Sequence, residues 1–178
     1  MNTPNKLTIL RVIMIPFFVL FMLVPIGGDA HKWIALAIFI IASLTDTLDG
    51  YLARRDNLIT DFGKFMDPLA DKLLVCSAMI CLIDLGKIPS WVVIIIISRE
   101  FIISGFRLVA SDNGIVIAAS WGKAKTVSQM VMVIMLIADL GGVFHTIEIV
   151  LIAVATVLTV ISLVDYLTKN KQVLSMQD

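Results

Sequence analysis

Long apolar runs separated by short polar stretches make up most of this chain of 178 residues. Hydrophobic side chains account for 59% of the residues and charged ones for 16%, against about one half and one quarter in soluble domains. Because a helix needs about 20 mostly apolar residues to cross a bilayer, the pattern predicts an all-α integral membrane bundle of six transmembrane helices. The predicted spans are Leu7–Pro25, Trp33–Ala53, Leu69–Leu85, Pro89–Ala110, Ala124–Leu140 and Ile147–Leu167.

The connections between these runs are short, which leaves no room for a separate soluble domain. We therefore expect residues 1–178 to form a single membrane domain. The first stretch, "MNTPNKLTILR", alternates polar and apolar positions and is typical of a short interfacial segment. Lys6 and Arg11 would lie there at the level of the lipid headgroups.

The basic residues divide unequally between the two ends of the predicted spans. Lys32 and Lys87 fall at one end, and the other twelve at or toward the end that carries both termini. By the positive-inside rule this end faces the cytoplasm, which predicts a multi-pass protein of the bacterial plasma membrane with both termini inside. The twelve are Lys6, Arg11, Arg54, Arg55, Lys64, Lys72, Arg99, Arg107, Lys123, Lys125, Lys169 and Lys171.

Two pairs of aspartates stand at the cytoplasmic ends of spans two and three. Asp46 and Asp49 are three residues apart, and Asp67 and Asp71 are four apart, so each pair shares one face of its helix. Pro68 either follows an N-cap at Asp67 or lies inside a helix that starts earlier. Both alternatives leave the second pair of carboxylates side by side.

Carboxylates at this depth need counter-charges. Asp46 lies nine residues before Arg55, roughly 13 Å along a helix, where an acidic side chain costs about 2.5–3.5 kcal/mol. Solvated loop positions explain Asp56 and Asp61, but not the four paired aspartates. Two divalent cations would balance four carboxylates and form a clamp for displacement at phosphorus. Oxygen-only ligands favour Mg²⁺ or Mn²⁺.

The full arrangement resembles the signature of the CDP-alcohol phosphotransferases. That resemblance implies a six-helix membrane enzyme, usually a homodimer, that transfers the phosphatidyl group of CDP-diacylglycerol to an alcohol and releases CMP. It further implies that the four aspartates bind two metal ions, that Asp71 is also the general base, and that Gly50, Ala53, Arg54 and Gly63 line the CDP-diacylglycerol site. The matching pattern is Asp46-x-x-Asp49-Gly50-x-x-Ala53-Arg54 and, after eight intervening residues, Gly63-x-x-x-Asp67-x-x-x-Asp71.

Three further stretches resemble the branch of this family whose acceptor alcohol is glycerol 3-phosphate. They are "NTPNKLTILRVIMIP", "SREFIISGFRLVAS" and "GKAKTVSQM". Other branches, the cardiolipin synthases and the phosphatidylinositol-phosphate synthases, share the fold and remain alternatives.

A group of basic residues supports an anionic acceptor. Arg99 and Arg107 lie eight residues apart on one helical face, and Lys123 and Lys125 enter the next span from the same side. Together they suit the phosphate dianion of glycerol 3-phosphate, since arginine offers bidentate geometry. Two alternatives stay open: Glu100 is a structural ion-pair member elsewhere in the bundle, and the two lysines are ordinary positive-inside charges.

Acidic residues within spans also mark cation transporters. A transporter would carry them through the whole membrane depth, whereas here they gather at the cytoplasmic end and the outer halves of spans two and three are apolar. The partners that the resemblance implies are CDP-diacylglycerol, glycerol 3-phosphate, membrane lipids and a second copy of the chain, with no nucleic acid.

Overall fold

A computed structural model describes residues 3–28, 30–55, 61–112 and 121–170 of the chain, without the side chains of 3–4, 46–65, 67 and 108–112. Within these ranges all regular structure is helical, with no strand, which confirms the predicted all-α class. The helices are α1 (Thr3–Leu23), α2 (Ala30–Arg55), α3 (Asp61–Asp84), α4 (Ser90–Asp112), α5 (Gly122–Ala138) and α6 (Phe144–Lys169).

The helices form two compact units. The first unit holds α1, α2, α3 and the end of α5, covering Met1–Lys87 and Val133–Asp139; the second holds α4, the start of α5 and α6, covering Ile88–Met132 and Leu140–Asp178.

In the first unit α1 packs against both α2 and α3, and α2 contacts α3. The rings of Phe18 and Phe39 meet inside it with their centroids 5.8 Å apart. Asn5, Thr8 and Arg11 recur every three residues along α1 and are all buried. Arg11 belongs to this polar stripe and is enclosed by protein, with an exposed fraction of 0%. Its expected level in the membrane stays a prediction.

In the second unit α4 packs against α6, and apolar side chains such as Ile96, Ile103 and Ala155 are buried. This interior also contains buried polar residues on all three of its helices: Arg99, Lys125, Gln129, Thr159 and Ser162.

The start of α3 decides between the two alternatives for Pro68, which were a position after an N-cap at Asp67 and a position inside the helix. Because α3 begins at Asp61, Pro68 lies inside the helix and Asp67 is not its N-cap. The end of α3 is a Schellman motif, in which Lys87 N–H donates to Leu82 O and Gly86 N–H donates to Ile83 O, both at 2.9 Å. Gly86 has a φ of +68°, a conformation that costs glycine little and other residues more.

Two helical stretches of the described chain are long and apolar enough to cross a membrane, Asn5–Leu23 and Phe144–Lys169. A shorter apolar helix covers Ala30–Thr45. The six-span arrangement thus stays a prediction. Charged residues interrupt α2, α3 and α4 near their predicted cytoplasmic ends, and α5 has only 17 residues.

Candidate active site

The signature aspartates lie on two neighbouring helices of the first unit. Asp46 and Asp49 are in the last three turns of α2, and Asp67 and Asp71 are in the first three turns of α3. The two helices are in contact, and only five residues separate the end of one from the start of the other. The end of α2 and the start of α3 therefore belong to one helical hairpin.

Asp71 is the one predicted metal ligand whose side chain falls within the described part, and it is partly buried and interacts with its surroundings. Among the described side chains no group of three or more His, Cys, Asp or Glu is close enough to hold a metal ion. The remaining predicted site residues of the first unit have side chains outside the described part. They are Asp46, Asp49, Gly50, Ala53, Arg54, Gly63 and Asp67.

Arg99 and Lys125 form the centre of a charged cluster in the second unit. Both are buried, with exposed fractions of 8% and 2%. Glu100 Oε1 accepts a hydrogen bond from Arg99 Nη1 at 3.1 Å and an ion-paired hydrogen bond from Lys125 Nζ. Glu100 is thus a member of a structural ion pair that joins α4 to α5, and its partners Arg99 and Lys125 are two of the predicted phosphate ligands.

Helix α6 extends this cluster. Arg99 Nη2 donates to Ser162 Oγ at 2.6 Å. Tyr166, one turn further along α6, is buried with its ring edge-on to Phe106. Within the described part of the chain, Arg99 Nε and Tyr166 Oη are buried and have no hydrogen-bond partner.

The two other predicted phosphate ligands are exposed. Arg107 lies two turns after Arg99 on α4, and Lys123 lies in the first turn of α5, two residues before Lys125. The cluster therefore consists of a buried pair of cations joined by one carboxylate, with two solvent-accessible cations on the same two helices.

Ser162 and Tyr166 did not stand out in the sequence. Their only signal is a pair of hydroxyl residues four apart, which share one face of a mostly apolar helix.

Comparisons with known proteins agree with these features. Residues 1–161 match the family described as CDP-alcohol phosphatidyltransferase. The chain is 42% identical to the CDP-diacylglycerol–glycerol-3-phosphate 3-phosphatidyltransferase of Bacillus subtilis, over 97% of each protein. It is 41% identical to the Escherichia coli protein of the same name, over 94% of this chain and 93% of that protein.

A probable phosphatidylglycerophosphate synthase of Mycobacterium tuberculosis is 43% identical, over 94% of this chain and 81% of the relative. The matched region contains both halves of the aspartate signature and the buried Arg99–Glu100–Lys125 cluster. The chain is thus a member of the CDP-alcohol phosphatidyltransferase family.

Proposed function

We propose that this protein transfers the phosphatidyl group of CDP-diacylglycerol to the primary hydroxyl of sn-glycerol 3-phosphate, giving phosphatidylglycerophosphate and CMP. The names of its relatives support the reaction. The buried cations Arg99 and Lys125 are the structural observation that supports this acceptor, because an alcohol without an anionic group has no need of them.

The four signature aspartates would hold two divalent cations, Mg²⁺ or Mn²⁺. Four carboxylates on two contacting helices fit such ions because the donor set is all oxygen. When bound, the ions would neutralise the diphosphate and the departing CMP as negative charge builds in the transition state.

Asp71 is the proposed general base. It would accept the proton of the acceptor's primary hydroxyl while that oxygen forms a bond to the β-phosphorus and the bond from this phosphorus to the CMP oxygen breaks. A carboxylate is a weak base toward an alcohol, so proton transfer is late and concerted with the displacement. Gly50 and Ala53 would leave space for the cytidine on α2, with Arg54 on its phosphate and Gly63 allowing close approach.

The acceptor's phosphate would be bound by Arg99, Arg107, Lys123 and Lys125, which we call the phosphate subsite. Arg99 retains a buried donor for it, since its Nη1 and Nη2 already donate to Glu100 and Ser162 whereas its Nε has no partner in the described structure. Arginine and lysine together offer several charge-assisted hydrogen bonds, about twice as strong as neutral ones.

We further propose that α1 to α6 all cross the plasma membrane, with both termini and the active site facing the cytoplasm, and that the protein works as a homodimer. The unequal distribution of basic residues supports the orientation, and the family resemblance supports the dimer.

Release of CMP by the purified protein tests the reaction. The assay contains CDP-diacylglycerol in mixed micelles and, in parallel, glycerol 3-phosphate, myo-inositol 1-phosphate or phosphatidylglycerol, each with Mg²⁺, Mn²⁺ or a chelator. We expect metal-dependent CMP release with glycerol 3-phosphate above the other two. Release with another acceptor instead would assign the chain to a different branch of the family.

A further inference from the structure

Glu100 stands between two buried cations that the proposed reaction assigns to its acceptor. Its Oε1 accepts hydrogen bonds from both Arg99 and Lys125. Its side chain is 18% exposed, against 9% and 3% for those of Arg99 and Lys125. Glu100 therefore has the most exposed side chain of the three.

The charges explain why an acid is present there. Two adjacent buried cations repel one another, and a buried ion without a partner is strongly destabilising. With Glu100, the three side chains carry a net charge of one positive unit. Glu100 thus makes it possible to keep Arg99 and Lys125 charged and close together when no phosphate is bound.

The same carboxylate must oppose a phosphate. Any anion that contacts Arg99 and Lys125 shares them with Glu100 Oε1, and like charges this close repel across a partly buried site. Arg99 is also held by Ser162 on α6, so its position does not depend on Glu100 alone. Competition for donors and charge repulsion therefore both weaken binding of the acceptor's phosphate.

We propose that Glu100 is a positioning residue of the phosphate subsite that holds Arg99 and Lys125 together and competes with the acceptor's phosphate for them, a role that rests on the proposed function. The product of that reaction keeps the same phosphate, so an internal competitor lets the product leave. The reacting hydroxyl is a different part of the acceptor, so tighter phosphate binding would lower KM without raising kcat.

Glu100→Gln tests this role because it keeps the size and the acceptor oxygen but removes the charge. We expect the KM for glycerol 3-phosphate to fall at least about threefold, an effect typical of a neighbouring charge. The KM for CDP-diacylglycerol should stay within twofold of wild type, and kcat should not rise. An unchanged or higher KM for glycerol 3-phosphate in this variant overturns the proposal.

Glu148→Gln is the matched control. Glu148 is also an acid of the second unit, buried, and paired with His145 at 3.5 Å. It precedes Ser162 by fourteen residues on α6, about 21 Å along the helix. We expect its KM for glycerol 3-phosphate to stay within twofold of wild type, and a fall like that of Glu100→Gln would show that the effect is not local, against the proposal.

A binding measurement separates this role from the reaction. With inorganic phosphate as the only ligand, the thermal unfolding midpoint should rise more for Glu100→Gln than for wild type, whichever alcohol the enzyme uses. A rise no larger than that of wild type counts against the competition even if CMP release works as proposed. Absent CMP release with glycerol 3-phosphate, combined with the larger rise, would reject the reaction and retain the anion site.

Glu100→Asp is the second test variant, for use if Glu100→Gln does not fold because Arg99 and Lys125 have lost the negative charge of Glu100. The shorter side chain keeps the charge and draws the carboxylate back by one methylene group, so competition weakens. We expect a KM for glycerol 3-phosphate below that of wild type. A KM equal to or above wild type contradicts the proposal.

Discussion

Arg99 stabilises the second unit through the planar shape of its guanidinium. One terminal nitrogen donates to Glu100 on the same helix and the other to Ser162 on α6. A lysine ammonium is a compact point charge on a flexible stem and does not reproduce this planar fork.

Arg99→Lys should therefore lose one buried hydrogen bond while keeping the charge. The expected cost is about 1 kcal/mol, which corresponds to a thermal midpoint lower by about 2–4 °C for a chain of this size. The same exchange at Arg107, which is exposed on the same helix, should leave the midpoint unchanged. Equal shifts of the thermal midpoint in the two variants would mean that the hydrogen bonds of the Arg99 guanidinium do not stabilise the packing of α4 against α6.

Asp71 is the residue on which the proposed chemistry depends most. Asp71→Asn removes the base while keeping the side chain's size, so turnover should fall by at least about a hundredfold while binding of CDP-diacylglycerol is largely retained. CMP release and retention of labelled CDP-diacylglycerol measure the two. Asp84→Asn, at the exposed far end of α3, is the control, and wild-type turnover in Asp71→Asn would rule out the base role.

Arg107 tests the assignment of the phosphate subsite. It is exposed, so Arg107→Ala should leave the fold intact and remove a charge-assisted contact to the acceptor. We expect the KM for glycerol 3-phosphate to rise about tenfold and that for CDP-diacylglycerol much less. Steady-state kinetics with each substrate varied in turn measures both KM values. Equal increases in the two would show that Arg107 does not belong to the phosphate subsite.

The sequence predicted part of this site and left part of it open for identifiable reasons. Arg99 and Lys125 carry charges within predicted spans, so the hydropathy pattern makes both visible. Ser162 and Tyr166 do not, because a hydroxyl barely changes the hydropathy of its helix. The partner of Glu100 depends on side-chain geometry: neighbours on a helix point about 100° apart, so its contact with Arg99 does not follow from their adjacency.

The hydropathy of the sequence located the six helices but not the polar turns at some of their ends. The span predicted to begin at Leu69 belongs to a helix that begins at Asp61, because the turns that leave the apolar layer are polar but still helical. The outer ends were predicted more closely. Gly86 lies two residues after Asp84, the last residue of α3, at the position where glycine commonly ends a helix.

Two glycines with equal space around them separate backbone conformation from packing. A methyl group added at Gly86 or at Gly105 would meet no atom within 4 Å, but Gly86 has a φ of +68° whereas Gly105 lies inside α4. Gly86→Ala should cost about 1 kcal/mol, because alanine is strained there. Gly105→Ala should stabilise the helix by up to about 1 kcal/mol. Thermal unfolding in detergent measures both, and shifts of the same sign would refute this account of the turn.

The number of helices that cross the membrane determines on which side the proposed active site lies. Helix α6 has 26 residues, about 39 Å at 1.5 Å per residue, more than the roughly 30 Å of a hydrocarbon core. Helices α2 to α5 contain charges or are shorter, yet the family relationship extends over 94–97% of the chain. With both termini inside, as proposed, a protein in which only α1 and α6 crossed would hold α2 to α5 on the outer side, away from the proposed cytoplasmic location of the active site.

Labelling of single cysteines distinguishes the two arrangements. In a background with Cys76 and Cys81 replaced by alanine, we expect Ser90→Cys and Val143→Cys to react with a membrane-impermeant maleimide in intact cells, because both positions are exposed and lie at helix ends that are predicted to face outward. Trp121→Cys, exposed before α5, should react only after permeabilisation. Under the two-span arrangement Trp121→Cys would react in intact cells, because the segment between α1 and α6 would lie outside. That result would move the proposed phosphate subsite away from the cytoplasm, and the proposed function would fail with it.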